Sequence, residues 1–341
     1  DEYGDLMRVS VASAGNDHRL GGNEAPPAIV SIFLGDELTA VLDAIEKDTY
    51  FDKSQKTPME IGAAVIPRFF KDSTDRNRTS PFAFTGNKFE FRMLGSSLSV
   101  SGPNIVLNTA VAEALRQFYE ELKDVPESEM DNAVHQLLKR AIIKHKRIIF
   151  NGNGYTDEWV QEAARRGLDN LVSTPDALPK FVSHKSIELF TSHHIFTKDE
   201  ILSRYVILLE GYSKTLHVEA KTLQSMIRHE FLPALMKCMD QVATSIRNKK
   251  AVCDQLDCGA EEKLLNRLSQ AYQALDQNEE AMEKNLKVAE GMEDALESAR
   301  FYHDTVLKDM DTVRAVADAV ETDLPDGALP YPGYDKLLFS V

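Results

Sequence analysis

The chain has 341 residues, 43% hydrophobic and 27% charged, an ordinary balance for a globular fold with core material for two domains or one large one. A net charge of −15 argues against a nucleic-acid backbone as partner, and no apolar run approaches the ~18 residues that a helical membrane span needs. Three cysteines, Cys238, Cys253 and Cys258, are too few and too clustered for a disulfide framework, so a reducing cytoplasm is the expected compartment.

The opening Asp1-Glu2-Tyr3-Gly4-Asp5 has neither an initiator Met nor a signal-peptide pattern, and is expected to be a cut through a longer chain. Leu6-Met7-Arg8-Val9-Ser10-Val11 alternates apolar and polar, which predicts a strand. Residues 13–27, rich in Gly, Asn and Pro, predict a long loop able to approach a ligand and displaying Asp17, His18, Arg19 and Glu24. Most of the β-like pattern lies in the first ~110 residues. Asp75-Arg76-Asn77-Arg78-Thr79-Ser80-Pro81 predicts a second loop, whose two guanidinium forks suit phosphate oxygens as well as open solvent.

Asn87-Lys88-Phe89-Glu90-Phe91-Arg92-Met93 predicts a strand with Phe89, Phe91 and Met93 on a core face. Its other face sets a cation, an anion and a cation about 7 Å apart. That row fits cross-strand ion pairs in water, and fits equally a metal-binding carboxylate between two anion-binding cations.

Beyond this point the pattern is helical. Val111, Leu115, Phe118 and Leu122 recur at helical spacing, with Pro126 as the exit. A second helix is predicted over residues 129–147 on Val134, Leu138, Ala141 and Ile142. Thr156 is placed to cap the next, and Thr197-Lys198-Asp199-Glu200 spells a capping box for a helix through Ile201, Tyr205 and Leu208. Helix continues over residues 211–250, kinked at Pro233, then breaks around Cys253–Gly259. Residues 261–320 are too long for one globular helix and predict a hairpin broken at Asp276-Gln277-Asn278 or at Gly291. The proline-bearing tail is expected to be irregular. Cys253 and Cys258 lack the further ligands of a zinc site, and His193, His194, His217 and His229 lack convergent acids.

The loop ending Asn23-Glu24-Ala25-Pro26-Pro27, the Arg76/Arg78 loop and the Lys88–Arg92 strand follow in the order and rough spacing seen in glutamine synthetases. The wording of residues 12–20 and 84–92, and the closing Leu329-Pro330-Tyr331-Pro332-Gly333-Tyr334-Asp335-Lys336-Leu337-Leu338-Phe339, resemble the type III class over essentially the whole chain. The resemblance implies an α+β fold. Residues 1–211 would be the carboxy-terminal part of the catalytic domain, with part of a twisted antiparallel sheet like that of guanidino kinases. Residues 212–341 would be a helical extension, bundled to about residue 320 and suited to ring-to-ring contacts.

By motif position the resemblance also implies roles. Arg19 would hold the glutamate carboxylate. Glu24 would sit on a flap, favour ammonium and take a proton. Arg78, with Arg76 beside it, and Lys88 would meet ATP and the transferring phosphate; Glu90 would bind Mg²⁺ or Mn²⁺, and Arg92 would complete the glutamate pocket. Glutamate, ammonia and ATP are the implied substrates, and a homo-oligomer of stacked rings the implied assembly. Two departures stand out from the shorter classes: the interval from Arg19 to Glu24 is one residue shorter, and no arginine lies between Arg78 and Lys88. The family's amino-terminal half, with its other metal-binding glutamates, has no counterpart here, so the lone chain is expected to be inactive. Competing readings are a guanidino kinase, for which no cysteine lies near the arginine loop, and a helical assembly or regulatory protein that keeps a catalytic remnant.

Overall fold

The computed structural model describes residues 1–51 and 79–339. The chain forms two compact units, Asp1–Leu208 and Leu209–Val341, with the boundary inside a continuous helix.

The first unit opens with helix α1 (Gly4–Val9) and not with the expected strand. Leu6, Met7, Arg8 and Val9 are all buried. Arg8 is the reason the alternation misleads: a polar residue taken to face water is instead an interior one, so the run has no wet side. Helix α2 (Ala14–Arg19) follows, capped by the Ser13 side chain, where a loop was expected. Strand β1 (Ile32–Phe33) leads into α3 (Gly35–Glu46), a helix the sequence reading did not predict. Leu34, ahead of α3, offers no side-chain cap. The Oδ1 of distant Asn151 accepts from the N–H groups of Leu34 and Gly35 instead, at 3.0 and 3.2 Å.

Strands β2 (Phe82–Phe84) and β3 (Phe89–Phe91) complete the described β structure. The order is β1-β2-β3, with β1 parallel to β2 and β2 antiparallel to β3. Among the described residues the sheet is therefore small and mixed, within an otherwise helical α+β chain, and not antiparallel throughout. Among the described residues the β-like pattern expected early in the chain amounts to these three short strands, with helices α1, α2 and α3 beside them.

Helix α4 (Ser101–Leu122) lies at the expected place, but its predicted stripe is covered only in part. Val111 and Leu115 are exposed and Phe118 and Leu122 half-buried, while Val106, Thr109 and Glu113 are buried. Helix α5 (Met130–His145) buries Leu137, not Leu138. Helix α6 (Asp157–Arg165) is capped by Thr156 as expected, and its Trp159 stacks on Phe150 at 3.7 Å in a small core with Ile29 and Ala163. Helix α7 (Thr174–Ala177) carries its own Ser173–Asp176 capping box, and α8 (His184–Ser192) ends near α4. There Glu113 accepts from Arg116, Gln117 and the His193 ring, so one of the histidines read as lacking an acid does have one.

Helix α9 (Lys198–Met226) opens on the predicted box: Glu200 accepts from the Thr197 N–H and Thr197 from the Glu200 N–H. It runs into a π-turn over Ile227–Phe231 before α10 (Leu232–Val252), so the Pro233 disturbance is absorbed one turn upstream. Helix α11 (Gly259–Glu290) is uninterrupted through Asp276–Asn278 and ends at Gly291, which selects the second of the two expected breaks. Helix α12 (Ala295–Phe301), a second π-turn (Tyr302–Val306) and α13 (Leu307–Glu321) return the chain. Leu235, Leu268, Leu275, Val313 and Val320 form the core of this second unit. The tail is irregular until a short α14 (Tyr334–Phe339).

The Glu113 carboxyl is held down to about 2, below its ordinary 4.5, first by its hydrogen bonds from Arg116. A depressed carboxylate adds stability above its unfolded value and loses it as pH falls. The stability of the first unit is therefore expected to decline between about pH 4.5 and 2, and Glu113→Gln to flatten that part of a urea-midpoint profile.

Candidate active site

The site is built where α2 meets the exit of β3. Asn16 is buried and its Nδ2 donates to the carbonyls of Val11 and Met93, at 2.8 and 2.9 Å. One turn along α2, Arg19 donates from Nη1 to the Met93 carbonyl and from Nη2 to the Arg92 carbonyl, both at 3.0 Å. Nη1 also reaches Asn16 Oδ1 at 3.3 Å. These bonds use Nη1 and Nη2. Among the described residues Nε has no acceptor, so the Nε edge of the guanidinium is not fully spent on structure.

The chain then turns sharply. The Gly21 N–H donates to the Pro26 carbonyl at 2.9 Å, closing a small loop with Glu24 exposed at its tip. Glu24 holds φ at +58°, a left-handed conformation unusual for a side chain with a Cβ, and Gly21 takes φ +79° where only glycine is at ease.

Across the sheet Glu90 pairs with Ala83, while Phe82 faces Phe91 and Phe84 faces Phe89. Lys88, Glu90 and Arg92 share one side, as expected. Lys88 Nζ lies 3.3 Å from Glu90 Oε1 and Arg92 Nη2 lies 3.2 Å from Oε2, with Thr85 Oγ1 3.4 Å from Oε1. The hydrogen bond from Lys88, then that from Arg92, holds the Glu90 carboxyl below the usual range. The Lys88 side chain is 65% exposed, that of Glu90 38% and that of Arg92 15%, so the row runs from open water at Lys88 to a sheltered position at Arg92. The supposed core face behaves differently from expectation. Met93 is fully buried, but Phe89 is 48% exposed, because Phe82, Phe84 and Phe89 stack on one another at the sheet surface.

The structure thus joins Arg19 to the backbone of Arg92, and joins Lys88, Glu90 and Arg92 to each other, with Glu24 on the turn that leaves α2. Arg76 and Arg78 lie outside the described residues. Among the described residues no three His, Cys, Asp or Glu side chains gather as a metal would need, and Cys253 and Cys258 form no such group. No described helix is long and apolar enough to cross a membrane. Asn16 and Arg8 were missed by the sequence reading; in Arg8 the only signal was a cation inside an apolar run.

Residues 133–250 match the model of the glutamine synthetase C-terminal domain. The whole chain is 46% identical to a glutamine synthetase of Butyrivibrio fibrisolvens over 341 residues, 100% of this chain and 48% of that one. It is 40% identical to a type-3 glutamine synthetase of Dictyostelium discoideum, covering 99% and 47%, and 36% identical to a glutamine synthetase of Bacteroides fragilis, covering 98% and 47%. The chain belongs to the glutamine synthetase family. It spans about half the length of the curated relatives it matches.

Because the Asn16 amide bridges two buried carbonyls on either side of α2, Asn16→Ala leaves both without that donor. The expected cost is about 1–3 kcal/mol in urea unfolding, with the α2 amides losing hydrogen-exchange protection first.

Proposed function

We propose that this chain supplies part of the active site of a glutamine synthetase, which ligates ammonia to glutamate with ATP through a γ-glutamyl phosphate. The observation that carries the reading is the placing of Arg19: two carbonyls fix its guanidinium at the exit of the strand that bears Glu90 and Arg92. Its Nε edge would take a glutamate carboxylate. Arg92, beside it, would complete the glutamate and γ-phosphate pocket, and Lys88 would contact nucleotide phosphate. Arg78, with Arg76, would bind the transferring phosphoryl group. Glu24, carried on a tight loop, would take the proton that the ammonia nitrogen releases as it displaces phosphate, and would help keep water from the acyl phosphate.

The metal expected here, Mg²⁺ or Mn²⁺, would neutralise charge on the ATP phosphates. Glu90 would give it one carboxylate, having first released Lys88 and Arg92. One carboxylate does not hold such an ion, which wants several oxygen ligands, so the remaining ligands must come from residues beyond those described. On this reading the small mixed sheet is a piece of the twisted sheet that the family shares with guanidino kinases. The enzyme is a cytoplasmic homo-oligomer of stacked rings, and the helical unit from about residue 212 serves ring contacts.

Two outcomes are expected. The chain alone should show no γ-glutamyl transferase turnover, and turnover should appear once a separately expressed remainder of the protein is added; activity of the lone chain would refute the shared site. In the full-length protein Arg19→Lys, which loses the fork, should raise the KM for glutamate about tenfold or more and leave that for ATP within about twofold.

A further inference from the structure

A helix as short as α2 has little stability of its own, so its direction is set by what grips it. Asn16 and Arg19 grip one side. The other grip is a buried ion pair. Arg8 is 1% exposed, and its Nη2 lies 2.8 Å from Asp17 Oδ1. Nε donates to the Leu171 carbonyl at 2.8 Å and Nη2 to the Val172 carbonyl at 3.0 Å. Asp17 accepts in addition from the Thr174 N–H at 2.6 Å and the Thr174 hydroxyl at 2.9 Å. One carboxylate therefore ties α2 to α1 and to the first turn of α7. Arg8 Nη1 is buried without a hydrogen-bond partner.

Packing alone does not account for this arrangement. Desolvating two charges costs several kcal/mol each, and well-packed apolar side chains of the same volume would join the segments at least as firmly. Burial pushes the Asp17 carboxyl up, against the pull of Arg8, so the carboxylate is held at a cost. What a fork and a carboxylate provide that apolar contact does not is a fixed direction and distance. We infer that Asp17 is a positioning residue: with Arg8 and Thr174 it fixes the rotation of α2, and so the place where the Arg19 edge and the Glu24 loop meet substrate.

The inference rests on the proposed glutamine synthetase site. Arg19 follows Asp17 by two residues on the same short helix, and Glu24 leaves from its end. A turn of α2 that breaks the Asp17 contacts also moves the Arg19 edge, and misplacement by about 1 Å costs on the order of 10²-fold in rate. Lys88 lies on the β2–β3 hairpin and not on α2, so nucleotide contacts should be spared.

The test uses the full-length enzyme with Asp17→Asn, Thr174→Val and, as a control for lost stability alone, Leu235→Ala in the separate core of the second unit. Measured well below each unfolding midpoint, Asp17→Asn should lower kcat/KM for glutamate about tenfold or more with KM for ATP within about twofold. Thr174→Val, which removes only one hydrogen bond, should move the same parameter about threefold to tenfold. Leu235→Ala should lower the midpoint and change neither KM. The inference is overturned if Asp17→Asn loses stability yet keeps wild-type glutamate kinetics, or if both substrates are affected alike. Should Asp17→Asn not fold, Thr174→Val decides: a glutamate-selective loss supports positioning, and an unselective loss or none overturns it. A wild-type protein that makes no glutamine sinks the functional reading itself, a result separate from an active wild type whose variants show no split.

Discussion

The candidate site depends on two backbone carbonyls, those of Arg92 and Met93, which accept from Asn16 and Arg19. Backbone acceptors suit the purpose because their positions follow from the strand ladder and not from a rotamer. The Arg92 N–H in turn donates to the Pro81 carbonyl at 2.8 Å, so the acceptors are tied to the β2–β3 pairing. That pairing is closed by a turn in which Gly86 takes φ +93°. The chain of constraint runs from hairpin to carbonyls to Arg19, and each link is a directional hydrogen bond and not a contact of shape. Part of the Arg19 donor set is spent on structure, and those bonds fix the direction of the whole guanidinium.

The Lys88–Glu90–Arg92 row poses a different problem. Two cations on one strand face repel one another, and the anion between them offsets that repulsion. The pairs are partly exposed, so they are weak and exchange at small cost for ligand or metal. A fully buried version would be harder to open. Alternation along one strand brings both signs together, and for this reason the row was readable before any coordinates.

Legibility in the sequence tracked how local the physics was. The Thr156 cap and the Thr197–Glu200 box each lie within a few residues, and both formed as read. Gly291 ended α11 where Asp276–Asn278 did not: a polar triplet is tolerated on a helix face that is largely exposed, while glycine is the poorest helix former after proline. Failures came where the deciding partner was distant in sequence. The helix α1 was mistaken for a strand because Arg8 finds its acid at Asp17 and its carbonyls at Leu171 and Val172. On α4 the buried side contains Glu113, whose charge is answered in part by His193. An apolar count assigns such a residue to water, so the predicted stripe takes in the exposed Val111 and Leu115 along with the half-buried Phe118 and Leu122. The ion-pair row was legible because Lys88, Glu90 and Arg92 fall in one short motif, whereas Arg8, Asp17 and Thr174, which hold α2, are scattered along the chain.

The second unit also buries charge only beside directional partners. Glu279, buried in α11, accepts from Gln224 at 2.6 Å and pairs with Arg228 at 2.9 Å, and Arg228 also pairs with Glu283 at 2.5 Å. These polar groups sit beside a π-turn, where one residue is wound into the helix in excess and the facing side chains change register. A buried acid that must find both Gln224 and Arg228 leaves little freedom to slip, since a slip strands a charge in the interior. Asp17 meets Arg8 and Thr174 under the same constraint, and in both places a charge is buried only where directional partners answer it.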